Sequence, residues 1–223
     1  MLQSLDGAAV RRWAVTCCDA LAAHRDEIDA LNVFPVADQD TGSNLLATMR
    51  AGLDAVLGDH NAAAGAVPPG STVAVLARGA LMGARGNSGV ILSQVLRGLA
   101  EPLIGPEFDG RAWDGAALRK GLCRADELAT AAVSEPVPGT VLTVLHAAAR
   151  AAAAVRSDEL SAVASAATAA AAGALADTPR QLAALAVAGV VDAGGRGLIL
   201  LLEALLAVVN ERPSVRSTVA GLA

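Results

Sequence analysis

The sequence predicts an all-α fold, an antiparallel bundle or barrel of about eight helices. The hydrophobic fraction is 54%, but aromatic residues make up only 2% and there is no tyrosine, so the core must be built mainly from Ala, Leu and Val. Small side chains let helices approach closely, whereas sheets favour β-branched and aromatic residues. The 223 residues suffice for one well-buried core. One domain is therefore expected over residues 1–210, followed by a tail or the start of a linker at 211–223.

Apolar residues recur at helical spacing in successive segments, which are separated by loops rich in Gly and Pro. The first predicted helix covers Gly7–Ala30 and ends before Phe34-Pro35, where the proline breaks the pattern. Thr41 is suited to cap the second helix, which runs to about Leu57. The remaining helices are predicted at Ser71–Ala80, Val90–Leu99, Arg111–Val133, Thr140–Arg156, Ser157–Ala172, Pro179–Val187 and Gly194–Asn210, with surface loops at Asp59–Gly70 and Glu101–Gly110.

Charge and composition exclude several classes of protein. The net charge is −5 and there is a single lysine, which argues against a general nucleic-acid binder. The three cysteines, Cys17, Cys18 and Cys123, lack metal-ligand spacing, so a reduced, cytoplasmic protein is expected. No signal peptide is visible, and the most apolar stretches, Ser161–Ala176 and Leu198–Val209, fall short of a membrane span. No integral membrane segment is therefore expected.

The segment Leu31–Asn44, LNVFPVADQDTGSN, carries the strongest functional signal. Asp38 and Asp40 lie two residues apart, so both carboxylates can point toward one Mg²⁺, which binds oxygen ligands together with substrate phosphates. Such a pair alone is more often a turn and a helix cap. The continuation favours a ligand site, because Gly42 admits close backbone approach and the first N–H groups of a helix bind anions. Three side chains can also donate to phosphate oxygens: Thr41, Ser43 and Asn44.

A second glycine-rich segment, Gly83–Gly89 (GARGNSG), also precedes a predicted helix. Its backbone N–H groups and polar side chains form a moderate phosphate-binding signal, which makes candidates of Gly86, Asn87, Ser88 and Gly89. The segment is not the common P-loop, since Gly-Lys-Ser/Thr is missing. A tight turn between packed helices explains its glycines equally well.

Two further loops, PVPGT at residues 136–140 and DAGGRG at residues 192–197, also precede predicted helices. If neighbouring helices alternate in direction, all four helix starts gather at one rim of the bundle. Gly139, Thr140, Asp192 and Gly194 are then further candidates for ligand contact. Asp192 is equally suited to contact a base or ribose and to cap the last helix.

Four segments in this order, LNVFPVADQDTGSNL, GARGNSGVILSQ, EPVPGTVLTV and VVDAGGRGL, resemble the dihydroxyacetone-kinase L-domain superfamily. Within it they are most similar to the N-terminal ATP-binding domain of bacterial fatty acid kinase, over about Leu31–Leu205. The resemblance implies a helical barrel that binds ATP or ADP with Mg²⁺ at one open rim. It implies Asp38 and Asp40 as the metal-binding and catalytic residues, with Asn32 at the position of a third metal ligand. The TGSN and GNSG segments would wrap the phosphates.

Gln39 departs from the superfamily pattern, which usually has glycine between the two aspartates. A positive φ at this position costs stability for any other residue. The loop is therefore expected to be the least conventional part of the site.

The resemblance implies a kinase domain that transfers the γ-phosphoryl group of Mg·ATP to the carboxylate of a fatty acid, which a lipid-carrying partner protein presents. One alternative is the L-type, ADP-binding subunit of a dihydroxyacetone kinase. Thr41 in place of that branch's His, and the preceding NVFPV, favour the fatty acid interpretation. The other alternative is a non-catalytic helical module that binds a lipid or a protein. A homodimer is left open.

Overall fold

The computed structural model describes residues 1–59, 69–104 and 113–211. Over these residues the predicted all-α fold is confirmed, with ten α-helices, a 3₁₀ turn at Glu101–Leu103 and only an isolated bridge between Leu5 and Trp113. The helices are α1 Gly7–Ala23, α2 Arg25–Leu31, α3 Thr41–Gly58, α4 Pro69–Met82, α5 Gly86–Ala100, α6 Gly115–Ala131, α7 Val141–Ala154, α8 Leu160–Gln181, α9 Ala183–Ala188 and α10 Ala193–Val209. Most of the predicted loops at 59–70 and 101–110, and the predicted tail after Glu211, lie outside the described residues.

The first predicted helix is in fact two helices, α1 and α2. His24 leaves helical geometry at φ −109° and ψ 9°, while its N–H group still bonds to the Ala20 carbonyl at 3.1 Å. The apolar spacing continues through the break to the buried Ile28, so periodicity alone did not reveal it. The break gives α2 a direction of its own, and α2 packs against both α3 and α10.

Helix α8 begins later and extends further than predicted. It starts at Leu160, and Pro179 lies within its last turn instead of starting a new helix. A proline cannot donate to the carbonyl four residues earlier. Here the Thr178 hydroxyl donates to that Leu175 carbonyl at 2.7 Å, so the helix continues to Gln181 with the carbonyl satisfied.

Two other helices begin at residues different from those that the sequence predicted. Helix α5 begins at Gly86, not Val90, so the GNSG residues form its first turn. Helix α6 begins at Gly115, where the Asp114 carboxylate caps it by accepting the Ala117 N–H at 2.9 Å.

Helix α10 runs through the core. Its residues Leu198 to Leu202 are all buried, as expected for a helix that is apolar on all sides. It packs against α1, α3, α7 and α8, and the Leu201 carbonyl accepts the indole N–H of buried Trp13 at 3.0 Å. The ring of Trp13 meets that of Trp113 edge-on, with centroids 5.7 Å apart. The rest of the core consists mainly of Ala, Leu and Val, as the composition predicted.

Among the described helices, only α8 is long and apolar enough to cross a membrane by length and composition, with a mean hydropathy of 1.3. Its length exceeds the sequence prediction, which ended the helix near Ala172. One face of α8 is buried against α7 and α10. Within its most apolar window, 33% is buried inside the fold.

Candidate functional site

A cleft of about 640 Å³ opens where α3, α5, α7 and α10 begin. Helices α3, α5 and α7 start at the same end of the fold, and the intervening helices α4 and α6 pack between them. Neighbouring helices in this part of the fold therefore run antiparallel. Most of the residues singled out in the sequence line this cleft: Asn32, Asp38, Asp40, Thr41, Asn44, Gly86, Asn87, Ser88, Thr140, Asp192 and Gly194. The four loops thus meet at one rim, as their sequence pattern predicted.

The acidic loop places oxygen donors at the mouth of the cleft. Asn32 is 4% exposed, and its Nδ2 donates to Asp38 Oδ1 at 2.6 Å. Asp38 itself is exposed and Asp40 is half-buried. Two carboxylates and an amide oxygen fit Mg²⁺, which retains water and takes phosphate oxygens as further ligands. Within the described residues, no group of three or more His, Cys, Asp or Glu side chains is placed to bind one metal ion. The described residues therefore contain no metal site made entirely of such side chains.

Gln39 adopts the left-handed conformation, with φ at 56°. The backbone here is therefore in the region that favours glycine, at the position where the sequence departs from the expected glycine. The conformation costs a non-glycine residue about 1 kcal/mol. Asp38 and Asp40 are therefore separated by a left-handed residue, at a local cost in stability.

The start of α3 is organised differently from the sequence prediction, which made Thr41 the cap. Asp40 occupies the cap position and Thr41 is the first helical residue. Gly42 and Ser43 face α2 instead of lining the cleft. A Cβ on Gly42 would lie 2.4 Å from the Arg25 carbonyl oxygen, and both Ser43 donors bond to Asp29, with N–Oδ1 at 3.0 Å and Oγ–Oδ2 at 2.7 Å.

The start of α5 packs closely against two polar side chains of α3, Asn44 and Thr48. Gly86 has φ at +58°, and a Cβ there would lie 2.4 Å from Asn44 Nδ2. The buried Thr48 hydroxyl oxygen accepts the Arg85 N–H at 3.1 Å, and a Cβ on Gly89 would lie 2.3 Å from it. Gly89 therefore serves close helix packing, the alternative left open by the sequence, while Asn87 and Ser88 face the cleft.

At the start of α7, Gly139 shapes the backbone and Thr140 faces the cleft. Gly139 is buried with φ at +81°, and its N–H donates to Thr143 Oγ1 at 2.9 Å. It does not line the cleft. The Thr140 hydroxyl donates to the Val137 carbonyl at 2.8 Å, which closes the loop before the helix.

Asp192 caps α10, and it also lines the cleft. Its Oδ2 accepts the Gly195 N–H at 2.7 Å, and its own N–H donates to Thr178 Oγ1 at 3.2 Å. The side chain is 7% exposed. Burial raises the pKa of Asp192 to about 6, although hydrogen bonds from the backbone of Gly195, Val141 and Gly194 lower it.

Two residues that sequence reasoning missed, Asp29 and Thr48, hold the helix starts in place. Each lies inside a helix, and neither belongs to a glycine-rich or acidic motif. Their contacts join α2 to α3 and α3 to α5. No signal in one sequence identifies them, because the contacts arise only when the helices pack.

Residues 35–207 match the DAK2 domain family, Dak2. This match covers most of the chain, and the chain therefore belongs to the Dak2 family. The resemblance to the dihydroxyacetone-kinase L-domain superfamily is thereby confirmed.

Two relatives illustrate the family. Protein YloV of Bacillus subtilis is 38% identical over 208 residues, which are 92% of this chain and 36% of YloV. An uncharacterized protein of Staphylococcus saprophyticus is 36% identical over 220 residues, 97% of this chain and 38% of that protein. The chain thus spans little more than a third of the length of these relatives.

Among solved structures, the chain is similar to a dihydroxyacetone kinase from C. freundii in complex with AMP-PNP and Mg²⁺. The TM-score is 0.62 at 21% sequence identity, over 92% of this chain and 35% of that one. At this identity the likeness establishes a shared fold.

Proposed function

We propose that this domain binds Mg·ATP at the cleft and takes part in transferring the γ-phosphoryl group to the carboxylate of a fatty acid. The observation that carries the proposal is the meeting of Asp38 and Asp40 with the starts of α3, α5, α7 and α10 around one cleft. Metal-binding carboxylates beside several helix N-termini suit a polyphosphate bound with a divalent cation. The bound AMP-PNP and Mg²⁺ of the C. freundii kinase, which shares the fold, support the same assignment.

In this proposal the protein's contribution is positioning and charge stabilisation. Asp38 and Asp40, with the Asn32 amide oxygen, would hold Mg²⁺, which when bound supplies positive charge beside the phosphates. The side chains of Thr41, Asn44 and Ser88 line the cleft and can donate to phosphate oxygens. An acceptor carboxylate oxygen forms a bond to the γ-phosphorus, the bond to the β–γ bridging oxygen breaks, and ADP leaves an acyl phosphate behind.

The fatty acid assignment is supported by sequence and by the apolar part of the cleft. Thr41, in place of the His typical of the dihydroxyacetone-kinase branch, and the preceding NVFPV favour the fatty acid assignment. The apolar side chains that line the cleft include Phe34, Val36, Val90, Val133 and Leu198. A dihydroxyacetone molecule has no alkyl chain to contact them, whereas an acyl chain does. We propose that a separate lipid-carrying protein presents the acid, and that full turnover requires the parts present in the longer relatives.

Phosphate transfer from γ-labelled ATP to palmitate or to dihydroxyacetone, with Mg²⁺, separates the two kinase assignments. We expect slow formation of a labelled product with palmitate that hydroxylamine converts to a hydroxamate, the reaction of an acyl phosphate. Labelled dihydroxyacetone phosphate would instead establish the alternative kinase. A module that only binds lipid or protein would show no Mg²⁺-dependent affinity for ATP.

A further inference from the structure

Four of the described helices have an aspartate at the N-cap position, and three of these aspartates cap their own helix. Asp6, Asp114 and Asp192 each accept the N–H of the residue three positions later, at 2.7, 2.9 and 2.7 Å. This is the usual capping hydrogen bond, which satisfies one of the free N–H groups of the first turn. The fourth aspartate is Asp40, whose side chain makes no such bond.

The backbone of Asp40 accounts for the difference. The three capping aspartates have extended backbones, with ψ of 178°, −174° and 126°, the geometry typical of an N-cap. Asp40 has φ −124° and ψ −1°. Asp40 lines the cleft, and its side chain does not accept a hydrogen bond from the first turn of α3.

The hydrogen bond that Asp40 leaves unmade is supplied by another helix. The corresponding donor would be the Ser43 N–H, and it bonds to Asp29 Oδ1 of α2 at 3.0 Å. Asp29 Oδ2 also accepts the Ser43 hydroxyl at 2.7 Å. Gly42 permits this close approach, since a Cβ there would lie 3.0 Å from Asp29 Oδ1 and 2.4 Å from the Arg25 carbonyl oxygen.

Helix α2 is itself held in place from its other side. Glu27 Oε1 accepts from Arg196 Nε of α10 at 2.8 Å, and Glu27 Oε2 lies 2.6 Å from His24 Nδ1. The short helix therefore joins the start of α3 to the start of α10, both of which line the cleft.

We propose that Asp29 is a positioning residue that caps α3 in place of Asp40 and so keeps the Asp40 carboxylate directed into the cleft. The second part rests on the proposed function, in which Asp40 holds Mg²⁺. Without Asp29, the Ser43 N–H is left unpaired, and Asp40 is the N-cap residue three positions earlier whose carboxylate can turn back to accept it. The Asp40 carboxylate can then either cap α3 or bind Mg²⁺ in the cleft, but not both at once.

The test compares Asp29→Ala with Asp29→Asn, which keeps an acceptor for the Ser43 N–H. Asp26→Ala is the matched control, because Asp26 lies on the same helix and pairs with the exposed Arg25. Amide hydrogen exchange of Ser43 in the ligand-free protein reports capping directly. We expect removal of both acceptors, Asp29→Ala together with Asp40→Ala, to accelerate this exchange about fivefold to tenfold, whereas Asp29→Asn, Asp26→Ala and Asp40→Ala alone leave it nearly unchanged. Full protection in the double variant, or the same loss of protection in Asp40→Ala alone, would overturn the capping assignment whether or not nucleotide binds.

Calorimetry with ATP, with and without Mg²⁺, tests the consequence for the metal. Asp29→Ala should lower the Mg²⁺-dependent part of the affinity about fivefold, with the Mg²⁺-free affinity unchanged and Asp29→Asn close to the parent. In a protein that already carries Asp40→Ala, adding Asp29→Ala should lower the Mg²⁺-dependent part of the ATP affinity by less than about twofold. Equal losses in both backgrounds would show that Asp29 does not act through Asp40. If the parent itself shows no Mg²⁺-dependent affinity, the proposed function fails, while the exchange measurement still decides the capping assignment.

Discussion

The stability of the fold should depend on the charge of the buried Asp192. Its pKa is raised from 3.8 to about 6 by burial, so the native state binds a proton more tightly than the unfolded chain. The stabilisation from this proton is complete below about pH 4 and is lost as the pH rises through about 6. A shift of about two pKa units corresponds to about 3 kcal/mol, which sets the scale of the effect.

The variant Asp192→Asn isolates this contribution. Asparagine keeps an oxygen that can accept the Gly195 N–H but carries no charge at any pH. Compared with the parent, the variant should gain about 2 to 3 kcal/mol in free energy of unfolding between about pH 4 and pH 7.5. Urea unfolding of both proteins across this range gives the difference directly. The lowered pKa values of Glu27 and Glu101 affect both proteins alike and cancel. Parallel pH profiles would refute the account of Asp192.

Two further predictions concern residues with positive φ. Gly86→Ala should lower the free energy of unfolding by about 1 to 3 kcal/mol and weaken ATP binding, because the new Cβ meets Asn44. Gly173→Ala is the control, because a Cβ added there has no neighbouring atom within 4 Å, and it should raise the free energy of unfolding by about 0.5 to 1 kcal/mol. Equal effects of the two substitutions in urea unfolding would contradict this reasoning. Gln39→Gly should change stability by less than about 1 kcal/mol, because relief of the left-handed backbone is offset by greater freedom of the unfolded chain. Gln39→Val should destabilise by about 1 to 2 kcal/mol, and thermal unfolding that ranks valine equal to glycine would show that the φ of 56° is not maintained.

The sequence predicted the helical class and the common rim because both depend on local signals. Small apolar residues at helical spacing indicate packed helices, and a glycine-rich or acidic loop before each of four helices indicates where the helices begin. Alternation of direction then places those starts together. Asn32, Asp38, Asp40 and Asp192 therefore fall in one cleft, although they are separated by up to 160 positions in the chain.

The details that the sequence did not predict depend on contacts between helices. The break at His24 leaves the apolar spacing intact, and the passage of α8 through Pro179 relies on the Thr178 hydroxyl. Gly42 and Ser43 sit in a phosphate-binding motif by pattern, yet α2 packs against both. Ser43 bonds to Asp29 instead of facing the cleft because α2 packs beside the start of α3. The break at His24 gives α2 this position.

The most direct test of the account is the affinity for ATP, with and without Mg²⁺, of the parent and of Asp40→Ala. Asp26→Ala serves as the control, since it removes an exposed carboxylate that pairs with Arg25 away from the cleft lining. Mg²⁺ should strengthen ATP binding at least about tenfold in the parent and in the control, and by less than about twofold in Asp40→Ala. An equal gain from Mg²⁺ in all three proteins, or none in the parent, would contradict the assignment of the cleft as a Mg·nucleotide site.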